Sequence, residues 1–201
     1  MPEMPTYRST YHHGNLRVAL TEAALDLARR GGPHAVTVRG AARQVGVTPT
    51  AAYRHFAEVD ELRSAAKDRA LMSLSEAIDG ALRQVGADAD PGANADPVSG
   101  ADPVTAAVAR VRAVADGYIA FARGRPGLFA MACHGTVEAV KALMTARVAP
   151  SMEDLSASHP GLDFALWSSV HCLAVLGIGQ DQPDASADAV LDAVLAWIAG
   201  S

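Results

Sequence analysis

The chain has 201 residues, half of them hydrophobic and 19% charged, with a formal net charge of -5. That length accommodates one or two domains with a sizeable core, a mean hydropathy of +0.11 points to extensive helix-on-helix or subunit burial, and no apolar run reaches the roughly 20 residues of a membrane-spanning helix. Two cysteines, Cys133 and Cys172, are too few for a disulfide framework, and the first ten residues lack the apolar core of a signal peptide, so a cytoplasmic protein with free thiols and no membrane partner is expected.

The first helix is predicted from Asn15 through LRVALTEAALDLARRGG, where Leu16, Leu20, Ala23, Ala24 and Leu27 recur at helical spacing and Gly31 and Gly32 end the run. Thr37 is placed to cap a short second helix whose apolar face is Val38, Ala41, Ala42 and Val45. After the break at Gly46, Thr48 caps a third helix, Pro49 to Phe56, with proline at the first helical position, where its missing N–H costs nothing. A connection as short as Gly46 to Thr48 forces the two helices to cross steeply, which is the signature of a helix-turn-helix over about 36–55. A fourth helix is expected from Asp60 to about Val85, linking an N-terminal domain (12–72) to a C-terminal one (73–201).

Residues 86–103 read GADADPGANADPVSGADP, a composition that cannot supply a core and predicts a disordered loop. Helical periodicity returns from Val104 to Phe121, then at Pro126 to Cys133 and Val137 to Val148; Met152 to Pro160 has no clear pattern. The last two helices, Leu162 to Leu176 and Ala187 to Ala199, are the most apolar. In the final one Val190, Leu191, Val194, Leu195, Trp197 and Ile198 cover more of the circumference than one buried stripe requires, which predicts a partner subunit. No alternating run is convincing enough for a strand, and the fold class expected is all-α.

Charge is divided unevenly along this plan. Residues 1–69 carry 10 Lys+Arg against 7 Asp+Glu, a net of +3, and the remainder a net of -8, as expected if only the N-terminal end meets phosphate. The third helix offers small or polar residues, Thr48, Pro49, Thr50, Ala51 and Ala52, for close approach to a major groove, with Tyr53, Arg54 and His55 as donors at its end. Arg39 and Arg43, with Thr37 at the start of their helix, are placed for the flanking phosphates. An ordinary solvated surface is the alternative for all of these.

The segment VTVRGAARQVGVTPTAAYRHF followed by AEVDEL, with the opening YHHGNLRVAL, resembles the DNA-binding region of the TetR family. The resemblance implies backbone-phosphate contacts from Tyr53 and His55, which fix register without reading sequence. It also exposes a departure: Val59 stands where the family usually carries Lys or Arg to hold a phosphate. The N-terminal arm, with Arg8, Tyr11, His12 and His13, is a candidate to compensate. Further on, YIAFARGRPGLFAMA and LWSSVHCLAVLGIG are similar to the subset of the family whose ligand domain carries Trp-x-x-x-His-Gly; Trp167 and His171 match, and Cys172 replaces the glycine.

Together these readings predict a ligand-responsive repressor that binds a palindromic, double-stranded operator as a homodimer through its last two helices. Phe121, Leu128, Phe129, Met131, Met144, Trp167 and His171 are the residues expected to line a pocket for a hydrophobic small-molecule effector, although each fits plain core as well. No catalytic residue, cofactor or metal is expected. An enzyme is the competing class, but no nucleophile-elbow, phosphate-loop or metalloprotease spacing occurs. A metal or redox sensor built from Cys133-His134 and His171-Cys172 is a further alternative, weakened because adjacent helical residues diverge by about 100°.

Overall fold

The computed structural model describes residues 16–88, 103–158, 161–178 and 185–199. Among them no strand occurs, and the order is α1 (Leu16–Gly31), a 3-10 turn (Pro33–Ala35), α2 (Val38–Val45), α3 (Pro49–Tyr53), α4 (Val59–Asp88), α5 (Pro103–Gly124), α6 (Pro126–Ala132), α7 (Glu138–Ser158), α8 (Leu162–Leu176) and α9 (Ala185–Ala199). The chain forms two compact units, Met1–Ala66 and Lys67–Ser201, whose boundary falls inside α4.

In the N-terminal unit most of the expected apolar positions close a core, while Leu27 and Val45, expected on the same faces, are only half-buried. Leu16, Leu20, Ala23, Ala24 and Ala28 of α1 are buried with Val38, Ala41 and Ala42 of α2, Ala52 of α3, and Phe56 and Leu62 beyond. Small alanines let the short helices approach closely. Two boundaries differ from expectation. Helix α3 stops at Tyr53 because Arg54 takes the C-cap, yet Phe56 N–H still reaches the Ala52 carbonyl at 3.0 Å and returns its ring to the core. Helix α4 begins at Val59, so Asp60 lies inside the first turn, paired with Arg63 at 3.0 Å, while the Glu61 carboxylate accepts the Ala57 N–H at 2.9 Å. Acidic side chains there favour the positive end of the helix dipole.

In the C-terminal unit α5 is the central helix, packed against α6, α7, α8 and α9. Its burial is nearly circumferential, with Val111, Val114, Ala115, Tyr118, Ile119, Phe121 and Ala122 all inside. A side chain at Gly117 would bring Cβ within 3.2 Å of the Ile78 Cα and 3.0 Å of the Ala81 Cβ, so α5 crosses α4 this closely because glycine stands here, and a Cβ would push the helices apart by a few tenths of an ångström. Arg147 of α7 clasps Asp79 of α4 through two nitrogens, at 3.1 and 3.2 Å, and also reaches Ser75. Arg112 of α5 pairs with Asp116 at 3.3 Å and with Asp192 of α9.

Helix α4 runs three residues past Val85, and α5 starts at Pro103; residues 89–102, the body of the expected loop, lie outside the described residues. Helix α7 continues through Pro150 to Ser158, where the sequence had suggested an end at Val148. A proline costs a helix one hydrogen bond and a ring clash, yet the helix is continuous across it. Asn15, the N-terminal arm and the side chains of Trp197 and Ile198 also fall outside the described residues.

Candidate functional site

The helix-turn-helix is built from its caps. The Thr37 hydroxyl accepts the Gly40 N–H at 3.0 Å and starts α2; Gly46, at φ 79°, ends it with Val47 N–H bonded to the Ala42 carbonyl at 3.0 Å. That left-handed conformation is easily reached only by glycine. Thr48 then accepts the Ala51 N–H at 3.2 Å to start α3. The threonines flank a turn of fixed geometry, which sets the crossing of the two helices.

Thr37, Arg39, Arg43, Thr48, Pro49, Thr50, Tyr53 and Arg54 are all exposed and His55 is half-buried. Tyr53 keeps 43% of its surface accessible, unusual for an aromatic residue beside a core phenylalanine. The opposite sides of the same helices are buried, so these polar groups form the outer surface of the motif. None of Arg39, Arg43 and Arg54 has an acid partner among the described residues, whereas Arg29 and Arg30 of α1 are engaged with Asp26 and Gln44.

One contributor has no signal in the sequence pattern. Arg17, an exposed residue of α1, donates from Nη1 to the His55 carbonyl at 2.6 Å and lays its guanidinium 4.2 Å from the centre of the Phe56 ring. It ties the start of α1 to the end of α3, the stretch that carries Tyr53, Arg54 and His55. A partner 38 residues away in sequence cannot be read from periodicity.

The C-terminal unit holds a second cluster. The Tyr118 hydroxyl meets His171 Nδ1 at 2.7 Å, the Tyr118 and Phe129 rings pack edge to face at 5.3 Å, and Trp167 stacks on the His171 ring at 5.2 Å. Burial pushes the Tyr118 phenol well above its usual range and pulls the His171 imidazole down. The phenol therefore keeps its proton and shares a hydrogen bond with Nδ1 of a neutral ring. Burial also pushes the Cys133 thiol up to about 11, which leaves little nucleophilic thiolate near neutral pH. Cys172 is exposed on α8, and no group of three or more metal-ligating side chains occurs among the described residues.

The seven expected pocket residues do not share one cavity. Phe129, Trp167 and His171 belong to the aromatic cluster. Met144 and Trp167 line a cavity of about 20 Å³ between α5, α7 and α8. Phe121 contributes instead to an open cleft of about 540 Å³ along α4 and α5, with Glu76, Gln84, Asp116 and Arg125. Leu128, Phe129 and Met131 are 2% exposed or less and fill the core beneath α6.

A capped helix-turn-helix with an exposed polar face, in an otherwise helical chain, defines a DNA-binding domain of the kind found in transcriptional regulators. Residues 20–66 match the family of bacterial regulatory proteins described as the tetR family, so this segment is similar to the DNA-binding domain of that family. A solved protein of unknown function from Rhodococcus sp. RHA1 shares the fold at 23% identity, with a TM-score of 0.63 over 96% of this chain and 98% of its own. A TetR-like transcriptional regulator from the same organism is similar at 17% identity and a TM-score of 0.57, over 94% and 96% of the two chains. No curated protein matches the sequence. Among the described residues no helix is long and apolar enough to cross a membrane.

Proposed function

We propose that this transcriptional regulator is a ligand-responsive repressor that binds a palindromic operator as a homodimer in the cytoplasm. The observation that carries the reading is the outer face of α2 and α3, where Arg39, Arg43, Tyr53 and Arg54 stand exposed on helices whose caps are internally satisfied. Thr48, Pro49 and Thr50 approach the base edges, and Thr37, Arg39, Arg43, Tyr53, Arg54 and His55 hold the phosphates on either side.

A two-fold symmetric protein reads half-sites about one helical turn apart. Exposed Phe164, Val175 and Leu176 of α8 and Val190 of α9 support a subunit interface on the last two helices. Regulation requires an effector that binds the DNA-incompetent state more tightly than the competent one. Helix α4, which belongs to both units, is the element through which that preference would reach the reading head.

Selection of bound fragments from the source genome, followed by titration at several salt concentrations, tests the reading. Enrichment of a palindrome with steeply salt-dependent affinity is expected. Failure to enrich any sequence from a folded dimer, with and without added cell extract as a source of effector, would overturn it.

A further inference from the structure

Direct reading of a major groove rests on a few pairings: arginine or lysine with guanine, asparagine or glutamine with adenine, an acid with the amino group of cytosine, and an apolar group with the methyl of thymine. The side chains that open a recognition helix are the ones that reach the base edges. Helix α3 reads Pro49-Thr50-Ala51-Ala52-Tyr53, and it contains no side chain of the first three kinds. Thr48, Pro49 and Thr50 are exposed at its start, Ala51 is half-buried and Ala52 is buried. The Thr48 hydroxyl oxygen already accepts the Ala51 N–H at 3.2 Å, and proline has no N–H to offer. The exposed start of α3 is therefore mostly hydrocarbon, with threonine hydroxyls as its only polar side-chain groups.

Neighbouring side chains do not supply what α3 lacks. Gln44 is the one amide side chain among the described residues of the N-terminal unit. Its oxygen accepts from Arg30 at 2.7 Å and its nitrogen donates to Asp26 at 3.1 Å, so both ends are engaged within the domain. Arg39 and Arg43 belong to α2, the helix that crosses the DNA backbone in this motif. Arg54 follows α3 as its C-cap, at the end away from the residues that enter the groove first.

We infer that the domain selects its operator through thymine methyl groups: the half-site positions facing the start of α3 are A·T or T·A pairs, whose thymine C5-methyls pack on Pro49 and on the Thr50 methyl. A G·C pair offers only hydrogen-bonding groups in the major groove, and these lose water against hydrocarbon without gaining a partner. An A·T pair offers a methyl as well, which gains from leaving water. The Thr50 hydroxyl donates or accepts and so adds affinity without selecting a base. The inference rests on the reading of α2 and α3 as a DNA-binding face and names the bases that face selects.

Selection from a random double-stranded library gives the preferred half-site, and deoxyuridine in place of each thymidine then removes one methyl and nothing else. At the positions facing α3 this exchange should weaken binding about fourfold, as the burial of one methylene group implies. Thr50→Val keeps a methyl and drops the hydroxyl, and the deoxyuridine effect should persist. Thr50→Ser drops the methyl and keeps the hydroxyl, and at one of those positions the ratio should fall to about one.

An operator that tolerates deoxyuridine at every thymine, or whose half-sites hold only G·C pairs, overturns the inference and leaves the regulator standing; this arm needs no variant. Sensitivity that survives unaltered in both Thr50→Ser and Pro49→Ala overturns the assignment of the methyls to α3. Enrichment of no sequence at all removes the sequence-specific regulator and the inference with it.

Discussion

At the scale of the residue, the proposed reading head rests on side chains of two kinds. Tyr53 and Arg54 are exposed at the end of α3 with His55 half-buried beside them, whereas Arg17, exposed on α1, reaches the same stretch through the His55 carbonyl and the Phe56 ring. On the proposed reading Arg17 is a positioning residue. Arg17→Ala should weaken operator binding about fivefold, the equivalent of one hydrogen bond of about 1 kcal/mol, with the slope of affinity against salt unchanged. A slope shallower by about one would show instead that Arg17 itself neutralises a phosphate. Val59 offers the converse test. It stands half-buried at the first residue of α4, where backbone N–H groups favour an anion. Val59→Lys should tighten operator binding and steepen the salt slope by about one, leaving the preferred bases unchanged; an unaltered slope would place no phosphate at that helix start.

At the scale of the element, the turn between α2 and α3 is specified by three adjacent devices: the Gly46 left-handed cap, the Thr48 cap and Pro49 at the first helical position. Gly46→Ala keeps every contact, since a Cβ there meets nothing within 4 Å, but places an L side chain at φ 79°. The expected loss is about 1 kcal/mol in urea unfolding, and a larger loss of operator affinity if the crossing of α2 and α3 relaxes. Thr37→Ala removes the hydroxyl that caps α2 and should likewise cost about 1 kcal/mol. An unchanged urea midpoint for both variants would contradict the view that local caps set this motif.

At the scale of the whole molecule, pairs between distant helices make stability depend on pH. The Arg147 guanidinium, hydrogen-bonded to Asp79, holds that carboxyl below its ordinary value. A carboxyl depressed in the folded state stabilises fully above its unfolded value of about 4 and loses that contribution as pH falls through its folded one. Asp79 is 40% exposed, so screening limits the pair to about 0.5–1 kcal/mol. Asp79→Asn should therefore lower the melting temperature at pH 7 by a few degrees, with the difference from the unsubstituted protein shrinking below about pH 4. A difference that persists at pH 2.5 would mean that packing, not charge, links α4 to α7.

The sequence by itself determined the helix-turn-helix, because everything that builds it is local: caps, a glycine turn and a 3.6-residue apolar period all lie within 20 residues. It also determined the all-α class, since no segment alternates. The boundaries it missed, at α3, α4 and α7, are positions where a tertiary contact or a tolerated proline overrides the local signal, as when Phe56 returns to the core beyond the end of α3. Only the tertiary structure decided that Arg17 braces the proposed reading head, and that Leu128 and Met131 fill core while Trp167 and Met144 line a cavity. Those facts depend on which helices meet, and a hydrophobic side chain carries no mark in the sequence that tells a cavity wall from a core.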